Sequence, residues 1–484
     1  MNDVSHRQPW RSGDQATMLQ VHPLAGREKR IPRRQSWRRE GSSDVVSSGI
    51  WIFAILVCGL GCLGCGGTSS GYRTDCLPLP GFMGGLTEVS AGLLQRAPAV
   101  AKALDAAGPP PATAPAEARA LAEEAWQAHG PRFRELLDTW AQLASAPLLR
   151  FPEVALASVT FDQGRFDLGW CDQAAALLSV LAFRLTGEGR PAEALRLLAV
   201  LHRFGLQVLA GLGGPPEFFQ LLVGSRICRL ATGRIAWQAL RHPALTLADL
   251  EALRAAGAFS DVALPPLPDL LRPALAASRH AVLNDMGHPL ATTRWNKLFQ
   301  LLAESLAAAQ HQEMRARIGD FLDRLNEEFV KEASRIPADR QRLAAYHDTR
   351  LKECEERRSH PASGTTLFEY AGPAVGELFL TIELNAQFPS AVEAHPRALA
   401  QTRGFQALVQ AALQAGQTPA SWPSDAGPLR SRLGTDPFPI DPFDPAGGAL
   451  RVGTATDGTW TLYSRGPDGQ DEGGDPSSDL ILFP

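Results

Sequence analysis

The sequence predicts a mainly α protein: a bundle of helical hairpins, followed by a small α+β domain and preceded by one membrane helix. Three observations carry this. Residues 45–67 read VVSSGIWIFAILVCGLGCLGCGG, without a single charge. Leu/Ala-rich runs with apolar residues three and four apart fill most of residues 90–415, which is helical spacing. From Gly416 on, Gly, Pro and Asp displace that period and short strands take over.

The charge balance sorts the chain before any element is placed. The net charge is −4, yet the first 44 residues hold nine Lys/Arg against five Asp/Glu, leaving −8 for the remainder. An acidic body gives no electrostatic reason to bind nucleic acid. At 484 residues, 45% of them hydrophobic, the chain is long enough for two or more folded units with real cores. The expected divisions are a basic cytoplasmic tail (1–44), a transmembrane or lipoprotein signal segment (45–66), an α-helical extracytoplasmic domain (67–395) and an α+β domain (396–484).

A helix of about 20 uncharged residues spans the ~30 Å of hydrocarbon in a bilayer. Arg27, Lys29, Arg30, Arg33, Arg34, Arg38 and Arg39 precede the apolar run and favour a cytoplasmic N-terminus. The body then lies on the outer side of a bacterial inner membrane, or is lipid-anchored in the envelope. Two readings compete for the run: a retained signal anchor, and a lipoprotein signal cut before Cys62 or Cys65, which would carry the acyl chains. Small residues precede both thiols, although Gly59 and Cys62 stand where Leu is usual. Beyond the membrane, Cys76, Cys171, Cys228 and Cys354 meet an oxidising compartment that allows disulfides. Their spacing fixes no pairing. Cys76–Cys171 is the leading pair, and Cys228 also reads as a small buried hydrophobe.

The elements follow in order. A helix over 117–143 places Leu121, Ala125, Phe133, Leu136, Leu137 and Trp140 on one face. Residues 160–169 form a polar loop. Two apolar helices then flank residues 187–191, where Gly closes one and Pro opens the next; the turn G-R-P-A-E-A-L (189–195) resembles a tetratricopeptide-type unit. Only one clean copy is present, so a bundle is expected rather than a regular solenoid. Helices are predicted at 216–240, at 246–258 with Thr246 as cap, at 267–285, and over 294–335. In the last of these, Ile318, Phe321, Leu322, Leu325 and Phe329 face a core. A charged stretch runs to Arg358, and helices resume at 367–388 and 396–415. Strands at 449–452 and 459–464 flank the turn 456–458, and Leu480–Phe483 forms a last strand.

The tail, TWTLYSRGPDGQDEGGDPSSDLILF, carries five carboxylates between Asp468 and Asp479 and no basic residue among them. Clustered oxygen ligands in a Gly-rich loop suit Ca²⁺; an acidic loop that is simply solvated is the alternative. TLYSRGPDGQDEGGD and the upstream LVQAALQAGQTPASW and PIDPF resemble the C-terminal domain of the major pseudopilin of type II secretion, over residues 399–484. Trp422 stands where that family has Leu. The resemblance implies a calcium loop with Asp468, Asp471, Asp475 and Asp479 as metal ligands. The pseudopilin peptidase site G-F-T-L-x-E is missing ahead of the apolar run, so the chain does not read as an ordinary pilus subunit. The helical hairpin, the later helices and the DPF…LYS-x-GPDG ending together resemble uncharacterised bacterial envelope proteins over 171–484.

No HExxH, GxSxG, Walker A or dinucleotide fingerprint occurs. The reading is therefore a membrane-attached, non-catalytic scaffold with a protein partner in the envelope, accessory in one version to a secretion or pilus-like system. The competing readings are a calcium-stabilised surface protein and an enzyme whose site would gather Asp162, Arg165, Glu217, His280 and Asp285.

Overall fold

The computed structural model describes residues 89–106, 116–149, 152–159, 168–214, 216, 218–260, 265–285, 308–335, 340–360, 367–382, 384, 388–422, 439–454 and 459–483, all within the unit Gly71–Pro484. The apolar run 45–67, with Cys62 and Cys65, and Cys76 lie outside the described residues, as does the turn 456–458.

The chain is mainly helical with a small C-terminal sheet. Helices α1 (Ala91–Ala106) and α2 (Ala116–Asp138) pack on α4 (Leu168–Gly187), and the short α3 (Trp140–Ser145) packs on α5 (Pro191–Leu209). The helix expected over 117–143 is broken at Thr139 and kinked at His129, two residues ahead of Pro131, whose ring cannot continue the ladder. Helices α4 and α5 form the expected hairpin. Gly189, at φ +75°, closes α4 with two backbone bonds: Arg190 N–H to Leu185 O at 2.9 Å and Gly189 N–H to Thr186 O at 3.1 Å. Pro191 opens α5. Helix α4 is long and apolar enough to cross a membrane, but 61% of its apolar window is buried among its neighbours α1, α2, α5 and α6 (Phe218–Thr232), as befits a core helix.

A single helix was expected over 216–240; the structure has α6 and then α7 (Arg234–Leu240), separated at Gly233. Helix α8 (Leu247–Ala255) begins at Thr246, which forms a reciprocal capping box with Asp249. Helices α9 (Leu267–Asp285), α10 (Ala308–Ala333), α11 (Arg340–Ser359) and α12 (Leu367–Ile382) form a second group. Ile318, Leu322, Leu325 and Phe329 of α10 are buried there, as the stripe predicts.

Helix α13 (Phe388–Ala415) joins the two groups. Its first half (Phe388, Val392, Ala398) belongs to the apolar cluster that α9–α12 share with Leu206 and Leu209 of α5 and Leu221 and Cys228 of α6, and its second half (Phe405, Leu408, Ala412) to the larger cluster drawn from α1–α8. The sheet docks on this second half. Strands β1 (Arg451–Thr454), β2 (Trp460–Ser464) and β3 (Leu480–Phe483) are antiparallel in that order, with Val452 opposite Leu462 and Leu462 opposite Phe483. Trp237 of α7 meets Trp460 edge-on at 5.4 Å and Phe483 at 5.6 Å. Gln401 donates to Leu482 O at 3.1 Å and Thr232 O at 3.4 Å, pinning β3 to α6. Helices and sheet thus share one apolar cluster.

Candidate functional site

The densest polar geometry among the described residues lies where the sheet meets the turn before it. Asp441 opens that turn, accepting from Phe443 N–H at 2.9 Å in the Asx manner, and Asp444 repeats the device on Ala446 N–H at 2.8 Å. Both carboxylates are nearly fully buried, 1% and 4% exposed, and so need compensation. Asp441 also accepts from Ser464 Oγ at 2.7 Å and from Arg465 N–H at 3.0 Å. Arg451, the first residue of β1, points its guanidinium at three carboxylates: Asp444 at 3.0 Å, Asp441 at 3.6 Å, and Asp471 through Nε at 2.8 Å. Arg465, just past β2, reaches Asp444 at 3.2 Å. Burial pushes the Asp444 carboxyl up, but the Ala446 N–H and the two guanidinium groups outweigh it and hold it below the usual carboxylate range.

The four aspartates expected to ligate a metal are placed along the following loop. Asp468 Oδ1 accepts from Gln470 N–H at 3.1 Å. Asp471 is engaged on both oxygens, by Tyr463 Oη at 3.0 Å and Gly473 N–H at 3.1 Å on one and by Arg451 on the other. Burial opposes its ionisation, yet these donors win and its carboxyl stays low. Burial and the bond to Asp471 push the Tyr463 phenol up to about 12. Asp475 caps its own turn on Ser477, N–H and Oγ at 2.9 and 2.8 Å. Asp479 is buried and accepts from Gly474 and Asp475 N–H at 2.7 and 3.1 Å, while its Oδ1 accepts no hydrogen bond. Burial pushes its carboxyl above the usual range. Asp468, Asp475 and Asp479 accept within the loop itself, whereas Asp471 also ties the loop to β1 and β2. Among the described residues no three His, Cys, Asp or Glu side chains come together as a metal-binding group.

The alternative cleft is touched only at its edge. Asp162, Arg165 and Glu217 lie outside the described residues, as does the side chain of Asp285. His280 is half-buried on α9, with burial first and then Arg279 lowering its pKa. Three further histidines are core residues. His202 bonds Thr402 Oγ1 at 3.3 Å, His347 bonds Leu380 O at 3.2 Å, and His395 bonds Pro265 O at 3.0 Å. Cys171 is buried, and Cys228 and Cys354 are buried thiols; burial pushes Cys228 far up and Cys354 up to about 11. Cys228 is the small buried hydrophobe its helix position suggested.

The loop and the Asp-Pro-Phe turn are legible in the sequence, whereas Arg451 and Arg465 as their partners are not; the one signal for them is the pair of lone arginines bracketing the hairpin in an acidic stretch. No protein-family model, curated protein or solved structure matches the chain significantly.

Proposed function

We propose that the chain is a membrane-tethered scaffold of the bacterial cell envelope, with its helical body on the extracytoplasmic side of the inner membrane and no catalytic role. The observation that carries the reading is the uncharged run 45–67 behind seven basic residues between Arg27 and Arg39. Lipid attachment through Cys62 or Cys65 would give the same placement by another route. The tetratricopeptide-like turn at 189–195 and the pseudopilin-like ending support a protein partner, in one version part of a secretion or pilus-like machine.

The non-catalytic part of the proposal rests on how the reactive groups are used. A nucleophilic cysteine needs a lowered pKa and access, whereas Cys228 and Cys354 are buried with raised values. A general base needs reach to solvent or substrate, whereas His202, His347 and His395 are buried against helix neighbours.

The test is co-purification from detergent-solubilised membranes, with full-length protein as bait and the same protein lacking residues 45–67 as control. The reading predicts a reproducible set of envelope proteins that the control recovers poorly. Equal recovery of cytosolic proteins by both baits would remove it.

A further inference from the structure

The loop between β2 and β3 is rich in carboxylate, and such loops need positive charge to fold down. The structure assigns that charge to the chain itself: we propose that Arg451 is a built-in counter-cation that fastens the β2–β3 loop to the Asp441–Asp444 turn, in place of a bound divalent ion.

Three features argue for it. The guanidinium makes close approaches to three carboxylates from two separate places in the chain: Asp441 and Asp444 of the turn before β1, and Asp471 of the loop after β2. A planar fork with donors on Nε and both Nη atoms can serve several carboxylates at once, which a lysine ammonium does with less geometric definition. The two turn carboxylates are buried and already carry a backbone or hydroxyl donor each, so Arg451 completes a nearly satisfied set. Arg465 adds a second positive charge on Asp444, so three carboxylates face two guanidinium groups. Asp471, the link to the loop, is thereby taken out of the set of free oxygen ligands.

Three atoms point the other way. Asp479 Oδ1 is buried with no hydrogen bond, and Thr461 Oγ1 and Ser478 Oγ are likewise buried and unbonded. A cation held there would sit at Asp479 rather than in place of Arg451, so the experiment must separate the two positions.

Full-length protein in detergent is melted in excess EGTA and in about 1 mM Ca²⁺, as wild type and as Arg451→Met, Arg451→Lys and Asp479→Asn. Ligand binding to the native state would raise the melting temperature, so wild type should move by less than about 1 °C between the two conditions. Arg451→Met removes the positive charge shared by two buried carboxylates and should lower the EGTA value by roughly 3–6 °C. It also leaves three carboxylate oxygens facing one place, so Ca²⁺ should restore part of that loss. Trypsin cleavage after Arg465, a local readout, should quicken in Arg451→Met and slow again with Ca²⁺. Arg451→Lys should fall between wild type and Met, which keeps the test usable if Met does not fold. A wild-type loss of several degrees in EGTA that Ca²⁺ reverses would overturn the proposal, and disappearance of that response in Asp479→Asn would place the ion at Asp479. Arg451→Met melting like wild type would overturn it equally.

Discussion

His202 and His395 are the residues whose surroundings make the sharpest predictions. Burial lowers the pKa of His202 to about 3, with Arg203 adding to the effect, and burial lowers that of His395 to about 4 against the pull of the Pro265 carbonyl. In the unfolded chain both take a proton near pH 6.5. The native state resists that proton, so the stability these residues permit is full above about pH 6.5 and is lost as pH falls toward 4, at ~1.4 kcal/mol per pH unit for each histidine. His202→Gln should flatten the fall in denaturation free energy between pH 6.5 and 4; an unchanged slope would mean the imidazole is protonated in place. Close packing gives a second prediction. A Cβ on Gly205 of α5 would come within 2.7 Å of Cys228 Sγ and 2.9 Å of the Cys228 backbone nitrogen on α6. Gly205→Ala should therefore cost about 1–3 kcal/mol in urea unfolding, because the Cys228 nitrogen is backbone and cannot swing aside as a side chain could. That close approach is invisible in the sequence, where Gly205 looks like a weak point in an apolar helix.

At the scale of elements, local chemistry was legible where it acts locally. The α4–α5 turn, the Thr246 cap and strand β3 follow from Gly, Pro, Thr and Asp at fixed offsets, and the structure has each of them. Thr246→Ala removes a capping box and should cost about 1 kcal/mol, seen as faster amide exchange in the first turn of α8. The helix start misplaced at Pro396 has its own cause: burial overrides propensity. Pro396 looked like the first residue of a helix, yet α13 starts eight residues earlier at Phe388 and carries Pro396 in its interior. The flanking turns are buried on both sides, with His395 bonded to the Pro265 carbonyl, so tertiary contacts hold the helix through the missing N–H. The candidate site followed the same logic. Asp468, Asp471 and Asp475 could be found because they are neighbours in sequence; Asp441, Asp444 and Arg451 meet Asp471 only once the hairpin has formed.

For the whole molecule, the sharing of apolar clusters decides how the body behaves. The sheet and most of the buried residues of α1–α8 share one cluster, with Trp237 wedged between Trp460 and Phe483. Trp237→Ala opens that wedge and should cost about 3–5 kcal/mol, lowering sheet and helix signals together. Loss of the sheet signal alone would show that the strands fold apart from the helices. Helix α13, which lends one half to each cluster, couples the two helical groups through a continuous rigid element. A tether at one end of such a body would let it offer its surface to a partner while staying at the membrane, which is the account's central claim.

The most direct test of that claim is fractionation of cells expressing the full-length chain and a version lacking residues 45–67, followed by protease treatment of spheroplasts. The account predicts that the full-length protein stays in the membrane fraction through alkaline carbonate extraction, is released by detergent, and is digested from the outer side, while the deleted version is not membrane-bound. Full-length protein recovered in the cytosolic supernatant, or a membrane-bound body shielded from external protease, would contradict it.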